Sequence, residues 1–215
     1  AEIEVKKKYT VLNTEGYGGM ICSTWFDRPL SVAGRVIVKT DSEMETRLVK
    51  VERDLLMIPS LAIHMDRAVN EGRAINKQVD MLPVFAGAAK EPGEMKKLIA
   101  EEIGVEEEKI YGMDLFLYNR MEPSVWGREN EFISCPQLDD LQCAFASLNG
   151  FLAGENAKNI NVFACFDNEE VGSNTKQGAM STFLPDTLMR LNGALGGTDE
   201  EYRRALAGSL LVSCD

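Results

Sequence analysis

Residues Ile160 to Phe166 form a nearly continuous apolar run of strand length. Such a run fits a strand buried on both faces of a sheet covered by helices, and it is far shorter than the roughly 20 residues that cross a bilayer. The sequence around it keeps to that layering. Leu141, Ala144, Phe145, Leu148, Phe151 and Leu152 recur at three- and four-residue steps, one apolar face of a helix that begins near Asp139 or Asp140. A helix around Leu184 to Leu191 follows, and Thr198 with Glu201 three residues on gives a capping-box start to another through Ala207. Ser209 to Ser213 reads as a further strand. The fold class expected of this half is α/β.

The first half has a different rhythm. Tyr9 to Leu12, Gly18 to Trp25, Arg35 to Lys39 and Arg47 to Val51 are strand-like runs bounded by Gly, Pro and Asp, which predicts an antiparallel, β-rich layer. Met95, Leu98 and Ile99 at helical spacing place a short amphipathic helix within residues 92–104, and Ile110 to Tyr118 returns to strand. The polar stretch Asn119 to Asn130, with Pro123 and Gly127, marks a boundary. Two domains are expected, 1–122 and 123–215.

Composition removes whole classes of function. With 45% hydrophobic and 27% charged residues, the 215-residue chain is neither disordered nor low in complexity. A formal net charge of -11 repels phosphate backbones, so nucleic acid is not an expected partner. The N-terminus is polar and basic through Lys6, Lys7 and Lys8, without the apolar stretch of a secretory signal. Five cysteines without a CxxC pair indicate neither a disulfide framework nor a cysteine zinc site, and point to reducing cytoplasm. No membrane partner is expected. The chain has no initiator Met and stops at Asp215 directly after a predicted strand, so it reads as an interior segment of a longer protein.

The chemistry concentrates after the apolar run. Asp167-Asn168-Glu169-Glu170-Val171-Gly172-Ser173 sits where that strand would end, and in open α/β sheets catalytic groups lie outside the carboxyl ends of strands. Asp139 and Asp140 at a helix start, and Asp215 after the last predicted strand, have the same address. A solvated turn accounts for an acidic triplet on charge alone, and capping accounts for Asp140. Taken together, three segments bring carboxylates to strand ends, and like charges that close need a cation or protons. A divalent metal is the economical explanation.

Read in order, Trp25-Phe26-Asp27-Arg28-Pro29-Leu30 with Ala33-Gly34-Arg35-Val36, Ile58-Pro59-Ser60-Leu61-Ala62-Ile63-His64-Met65-Asp66-Arg67, Leu138-Asp139-Asp140-Leu141, and the Asp167 to Ser173 stretch with Gln177-Gly178-Ala179 resemble the aspartyl aminopeptidase family of dinuclear zinc exopeptidases. The resemblance implies a partial α/β zinc-exopeptidase catalytic domain preceded by a β-rich assembly domain that builds dimers into a dodecamer. It implies an aminopeptidase acting on peptides, acidic N-terminal residues being those of the family name, with two zinc ions per site or cobalt or manganese in their place. Asp139 resembles the carboxylate bridging both metals, Glu169 the general base, and Glu170 and Asp215 ligands to one metal each. His64 resembles the histidine lent to a neighbouring subunit's site, where it meets substrate. Gln137 and Asp140 depart from the arginine and asparagine usual there. The family's two zinc-binding histidines have no counterpart, since the single histidine is His64; the segment alone is expected to be inactive.

The other marked residues have plainer readings. Trp25 and Phe26 are core or interface aromatics. Gly16, Gly18 and Gly19 lack the spacing of a phosphate cradle and read as a hairpin turn. Cys165, inside the apolar run, is expected to be buried and inert, and the acidic residues between Glu101 and Glu108 to be solvated. If the strand continued through Glu170, Glu169 and Glu170 would face opposite sides. The rival reading is a non-catalytic, oligomer-forming module; a nucleotide-binding domain is disfavoured because no Gly-rich phosphate motif follows a strand.

Overall fold

A computed structural model describes residues 1–5, 7–87, 92–156 and 158–214, which divide into two compact units. The first comprises residues 1–16 and 20–136, the second residues 17–19 and 137–215. Among the described residues no helix is long and apolar enough to cross a membrane.

The first unit is organised by β3, Leu30–Lys39. Its side chains alternate, Val36 and Val38 buried, Arg35, Ile37 and Lys39 exposed, which is the period-2 signature of a strand with one face on a core. β3 pairs antiparallel with β4, Met44–Lys50, on one edge and with β6, Ile110–Asn119, on the other. From Ala33 to Val38 β3 is therefore paired on both edges. Arg35 lies opposite Asp114 in the register and donates to Asp114 Oδ2 at 2.8 and 3.1 Å, an exposed pair that fixes alignment more than stability. One residue before it, Gly34 faces Leu115, and a Cβ on Gly34 would collide with the carbonyl oxygen of Asp114. The two strands approach so closely there that only glycine fits.

Helix α2, Glu94–Ile103, lays Met95, Ile99 and Ala100 against the buried face of that sheet, with Val49, Val51, Leu56 and Ile58 completing the core. The helix ends at Gly104 in the left-handed conformation, as a glycine C-cap does. Ser31 is fully buried, and its hydroxyl donates to the carbonyl of Val51 at 2.8 Å, so the polar group is partnered. A second sheet is made by β1, Glu2–Val5, β2, Tyr9–Leu12, and β5, Val84–Ala86, in the order β1-β2-β5. β7, Ser124–Trp126, and β8, Phe132–Ser134, form a hairpin. Trp25 and Phe26 pack half-buried against the core as expected. Residues 18–25 do not form the expected strand: Cys22–Trp25 is a 3-10 turn, closed by the Thr24 hydroxyl donating to the Ile21 carbonyl at 2.7 Å.

The second unit is helical. α3, Leu138–Ala153, α5, Phe183–Ala194, and α6, Asp199–Ala207, appear where periodicity put them. The capping box of α6 is complete, Thr198 Oγ1 accepting from the Glu201 amide and Glu201 Oε2 accepting from the Thr198 amide. That amide and the Thr198 hydroxyl hold the Glu201 carboxyl below its ordinary value.

Two expected strands are absent. Residues 160–166 and 209–213 have no regular secondary structure and join no sheet among the described residues, and Ile160, Val162 and Leu210 are exposed. A strand buried on both faces requires paired strands on its edges and helices over its faces; the described part of this unit supplies no paired strand. Cys165 is accordingly exposed, not buried. The apolar face of α3 is likewise open at Leu141, Phe145 and Leu152.

Burial in the first unit sets its mutational sensitivity. Leu30 is completely buried whereas Leu48 on β4 is 84% exposed. Leu30→Ala should destabilise the chain by about 3 kcal/mol, and Leu48→Ala by less than about 0.5 kcal/mol, measured as shifts of the urea midpoint. Equal shifts would contradict the core described here.

Candidate active site

The acidic segment is a folded turn, not a strand end. Asn168 adopts the left-handed conformation (φ 60°), one of the few residue types that does so readily. It turns the chain from the irregular 160–166 segment into the single helical turn α4, Glu169–Gly172. The side chain of Asn168 donates to Thr175 Oγ1 at 3.3 Å and to Gln177 Oε1 at 3.4 Å, and its Oδ1 accepts the hydroxyl of Tyr17 at 3.1 Å. The Asp167 amide donates to the carbonyl of Gln177 at 3.3 Å, and Thr175 Oγ1 to that of Gly172 at 2.7 Å. Gly178 is buried against this turn, where a Cβ would strike the carbonyl of Gly172. The Gln177-Gly178 pair is thus part of the frame that closes residues 167–178.

Glu169 and Glu170 open α4, so their side chains are separated by about 100° around a helix, not by the alternation of a strand. What distinguishes them is their surroundings. Glu170 Oε2 accepts the backbone N–H of Gly19 at 3.0 Å, across 151 residues of sequence.

Asp139 lies earlier in this unit, at the start of α3. Gln137 before the helix is left-handed (φ 66°), Asp139 itself is extended, and the Asp139–Asp140 peptide is cis. Asp139 is exposed and Asp140 half-buried. Gln137 makes no side-chain cap, while Asp139 and Asp140 both lie in the first turn, where negative charge suits a helix N-terminus. Asp215 lies outside the described residues.

His64 belongs to the first unit, exposed in the loop after Ile58, with Leu61, Ile63 and Met65 exposed around it. The loop is stitched at both ends. Asp27 Oδ1 accepts the Ser60 amide at 2.8 Å before His64. After it, Arg73 bridges Asp66 and Asp80, and Asn76 caps the short helix α1, Lys77–Asp80, by accepting from the Gln78 amide. The backbone hydrogen bond from Ser60 holds the Asp27 carboxyl below the ordinary carboxylate range.

Among the described residues no three His, Cys, Asp or Glu side chains come together as a metal centre. Asp139 and Glu170 have suitable donor chemistry, since zinc accepts carboxylate oxygen, but two carboxylates do not make the three or four protein ligands a zinc ion takes. The described residues by themselves therefore do not complete a zinc site. Sequence reasoning also missed Tyr17, Gly18 and Gly19. Their glycine density was the available signal, and a hairpin turn was the wrong interpretation: Gly18 is left-handed and lies against Glu170.

Compared with known proteins, the chain matches the family described as "Aminopeptidase I zinc metalloprotease (M18)" over residues 1–215. It is 47% identical to a probable M18 family aminopeptidase 2 of Clostridium acetobutylicum over 219 residues, covering 100% of this chain and 51% of that protein. It is 36% identical to an aspartyl aminopeptidase of Caenorhabditis elegans, covering 97% of this chain and 50% of that protein. The structure of the S. cerevisiae mApe1 dodecamer superposes with a TM-score of 0.69 at 25% identity, over 92% of this chain and 45% of that one. The chain spans about half the length of the curated relatives it matches.

The Asp27 contact generates a pH prediction. A carboxyl whose folded value is lowered contributes stability above its unfolded value and loses it as pH falls, so the Ser60 tether should release below about pH 4. Hydrogen exchange in peptides spanning 56–66, corrected for intrinsic rates, should show that step in the unsubstituted chain. Asp27→Ala should exchange fast already at neutral pH and show no step; unchanged exchange in this variant would refute the tether.

Proposed function

The chain belongs to the M18 family of zinc metallopeptidases, and on that premise we propose that the whole protein is a metallo-aminopeptidase that removes the N-terminal residue from peptides. The family match along all of residues 1–215 carries this reading. The aspartyl aminopeptidase among the relatives favours acidic N-terminal residues as the substrate class. The first unit, with its own core, is the assembly domain, and the dodecamer of the yeast relative favours homo-oligomers built from dimers.

In this reading Asp139, Glu170 and Asp215 are the carboxylates offered to two zinc ions, with the remaining ligands supplied by the rest of the protein. Bound zinc polarises the scissile carbonyl and acidifies water. Glu169 takes the proton from the attacking water and returns it to the leaving amine, a role for which the fixed turn at Asn168 gives it a defined place. His64, on its stitched and exposed loop, serves substrate in a neighbouring subunit. A second reading, an oligomer-forming module without catalysis, is favoured by one observation, the lack of a three-ligand cluster among the described residues.

The two glutamates separate these readings. In the whole protein, Glu169→Gln should retain zinc and lower kcat by about 10²–10⁴-fold, with substrate affinity little changed. Glu170→Gln should lose zinc, and excess zinc should restore part of its activity. Equal zinc loss in both variants would mean a shared ligand role. Full activity in Glu169→Gln would remove that residue from the mechanism, and an unsubstituted protein without bound zinc or hydrolysis would favour the assembly module.

A further inference from the structure

The segment Tyr17-Gly18-Gly19 belongs to the second unit although the residues on either side of it in the chain belong to the first. Its contacts converge on the acidic turn. The Gly19 amide donates to Glu170 Oε2 at 3.0 Å, and the Tyr17 hydroxyl donates to Asn168 Oδ1 at 3.1 Å. Between them Gly18 is left-handed (φ 63°), and a Cβ there would overlap both Oε2 and Cβ of Glu170 and lie 3.0 Å from its carbonyl oxygen. Asn168 is held from its other side by Thr175 and Gln177. The turn is thus gripped from within by its own residues and from outside by a strand of chain more than a hundred residues distant.

We infer that Tyr17-Gly18-Gly19 is a positioning strap for the active-site turn: Gly19 aims the Glu170 carboxylate, Tyr17 fixes the left-handed Asn168, and Gly18 is glycine because any side chain would push Glu170 aside. The inference rests on the proposed role of Glu170. A backbone amide pointed at a carboxylate is a charge-assisted hydrogen bond with a defined direction. The amide fixes the orientation of the carboxylate while lone pairs on both oxygens stay open to what the site binds. The three residues touch no substrate in this account and act through Glu170 and Asn168.

Two features of Gly18 have to be separated, its backbone conformation and its missing side chain. Asparagine tolerates the left-handed region, so Gly18→Asn keeps the conformation and introduces the Cβ. In the whole protein this variant should lower kcat by about 10- to 100-fold, the cost of displacing a catalytic group by about an ångström, while KM moves little. Tyr17→Phe adds no bulk and should keep the melting temperature while lowering kcat by a smaller factor. Hydrogen exchange followed by mass spectrometry supplies a readout independent of turnover: the Gly19 amide should be protected in the unsubstituted protein and should exchange faster in Glu170→Ala. Gly19 exchange indifferent to Glu170→Ala overturns the strap, as does unchanged kcat in folded Gly18→Asn and Tyr17→Phe. Should Gly18→Asn fail to fold, Tyr17→Phe and the exchange measurement decide. An unsubstituted protein that hydrolyses no aminoacyl substrate refutes the aminopeptidase reading instead, and the exchange result still judges the strap.

Discussion

The antiparallel pairing of β3 on both of its edges is the constraint from which the first unit follows. Because β3 bonds to β4 and β6 together, its backbone polar groups are satisfied without solvent, and its inward residues Val36 and Val38 can be buried completely. That buried face is what α2 covers through Met95 and Ile99. Gly34 sets how close β3 and β6 come, and Arg35 with Asp114 marks the register on the outside. The loop carrying His64 leaves this framework at Ile58, itself buried in the core, and is returned to order by Arg73. These contacts anchor the loop on either side of His64.

The second unit works by a different principle. It has helices with open apolar faces, and among its described residues only Gly172 and Gly178 are buried. Its order near the acidic residues is therefore local and polar: side-chain amides, hydroxyls and backbone groups close the turn from Asp167 to Gly178. This makes hydrogen-bond geometry, not burial, the determinant of where Glu169 and Glu170 lie. Such networks are sensitive to the loss of a single donor.

Legibility in the sequence followed the range of the interactions. The helices α2, α3, α5 and α6 and the capping box at Thr198 depend on neighbours three or four residues away, and their spacing revealed them. The strand-like runs 35–39, 47–51 and 110–118, which fall in or overlap β3, β4 and β6, were also visible. The runs at 160–166 and 209–213 carried a composition suited to buried strands but not the partners that would pair with them, and among the described residues they join no sheet. Gly18 and Gly19 were misinterpreted for the same reason, since the residue that requires them, Glu170, is 151 positions away from Gly19. Arg73 gave no signal in sequence because its two acidic partners lie seven residues to either side, beyond the three- or four-residue reach of a helical ion pair. The candidate residues themselves were recognised through the order of motifs, which is a property of the family and not of local physics.

The central claim is that the whole protein hydrolyses N-terminal residues in a zinc-dependent reaction. Its most direct test is to dialyse the purified full-length enzyme against a chelator and then measure hydrolysis of an aspartyl or glutamyl aminoacyl substrate before and after zinc is returned. The account predicts that activity falls to background on metal removal and returns on addition of zinc. Hydrolysis that survives removal of all metal, or a zinc-replete protein that cleaves no aminoacyl substrate, would contradict it.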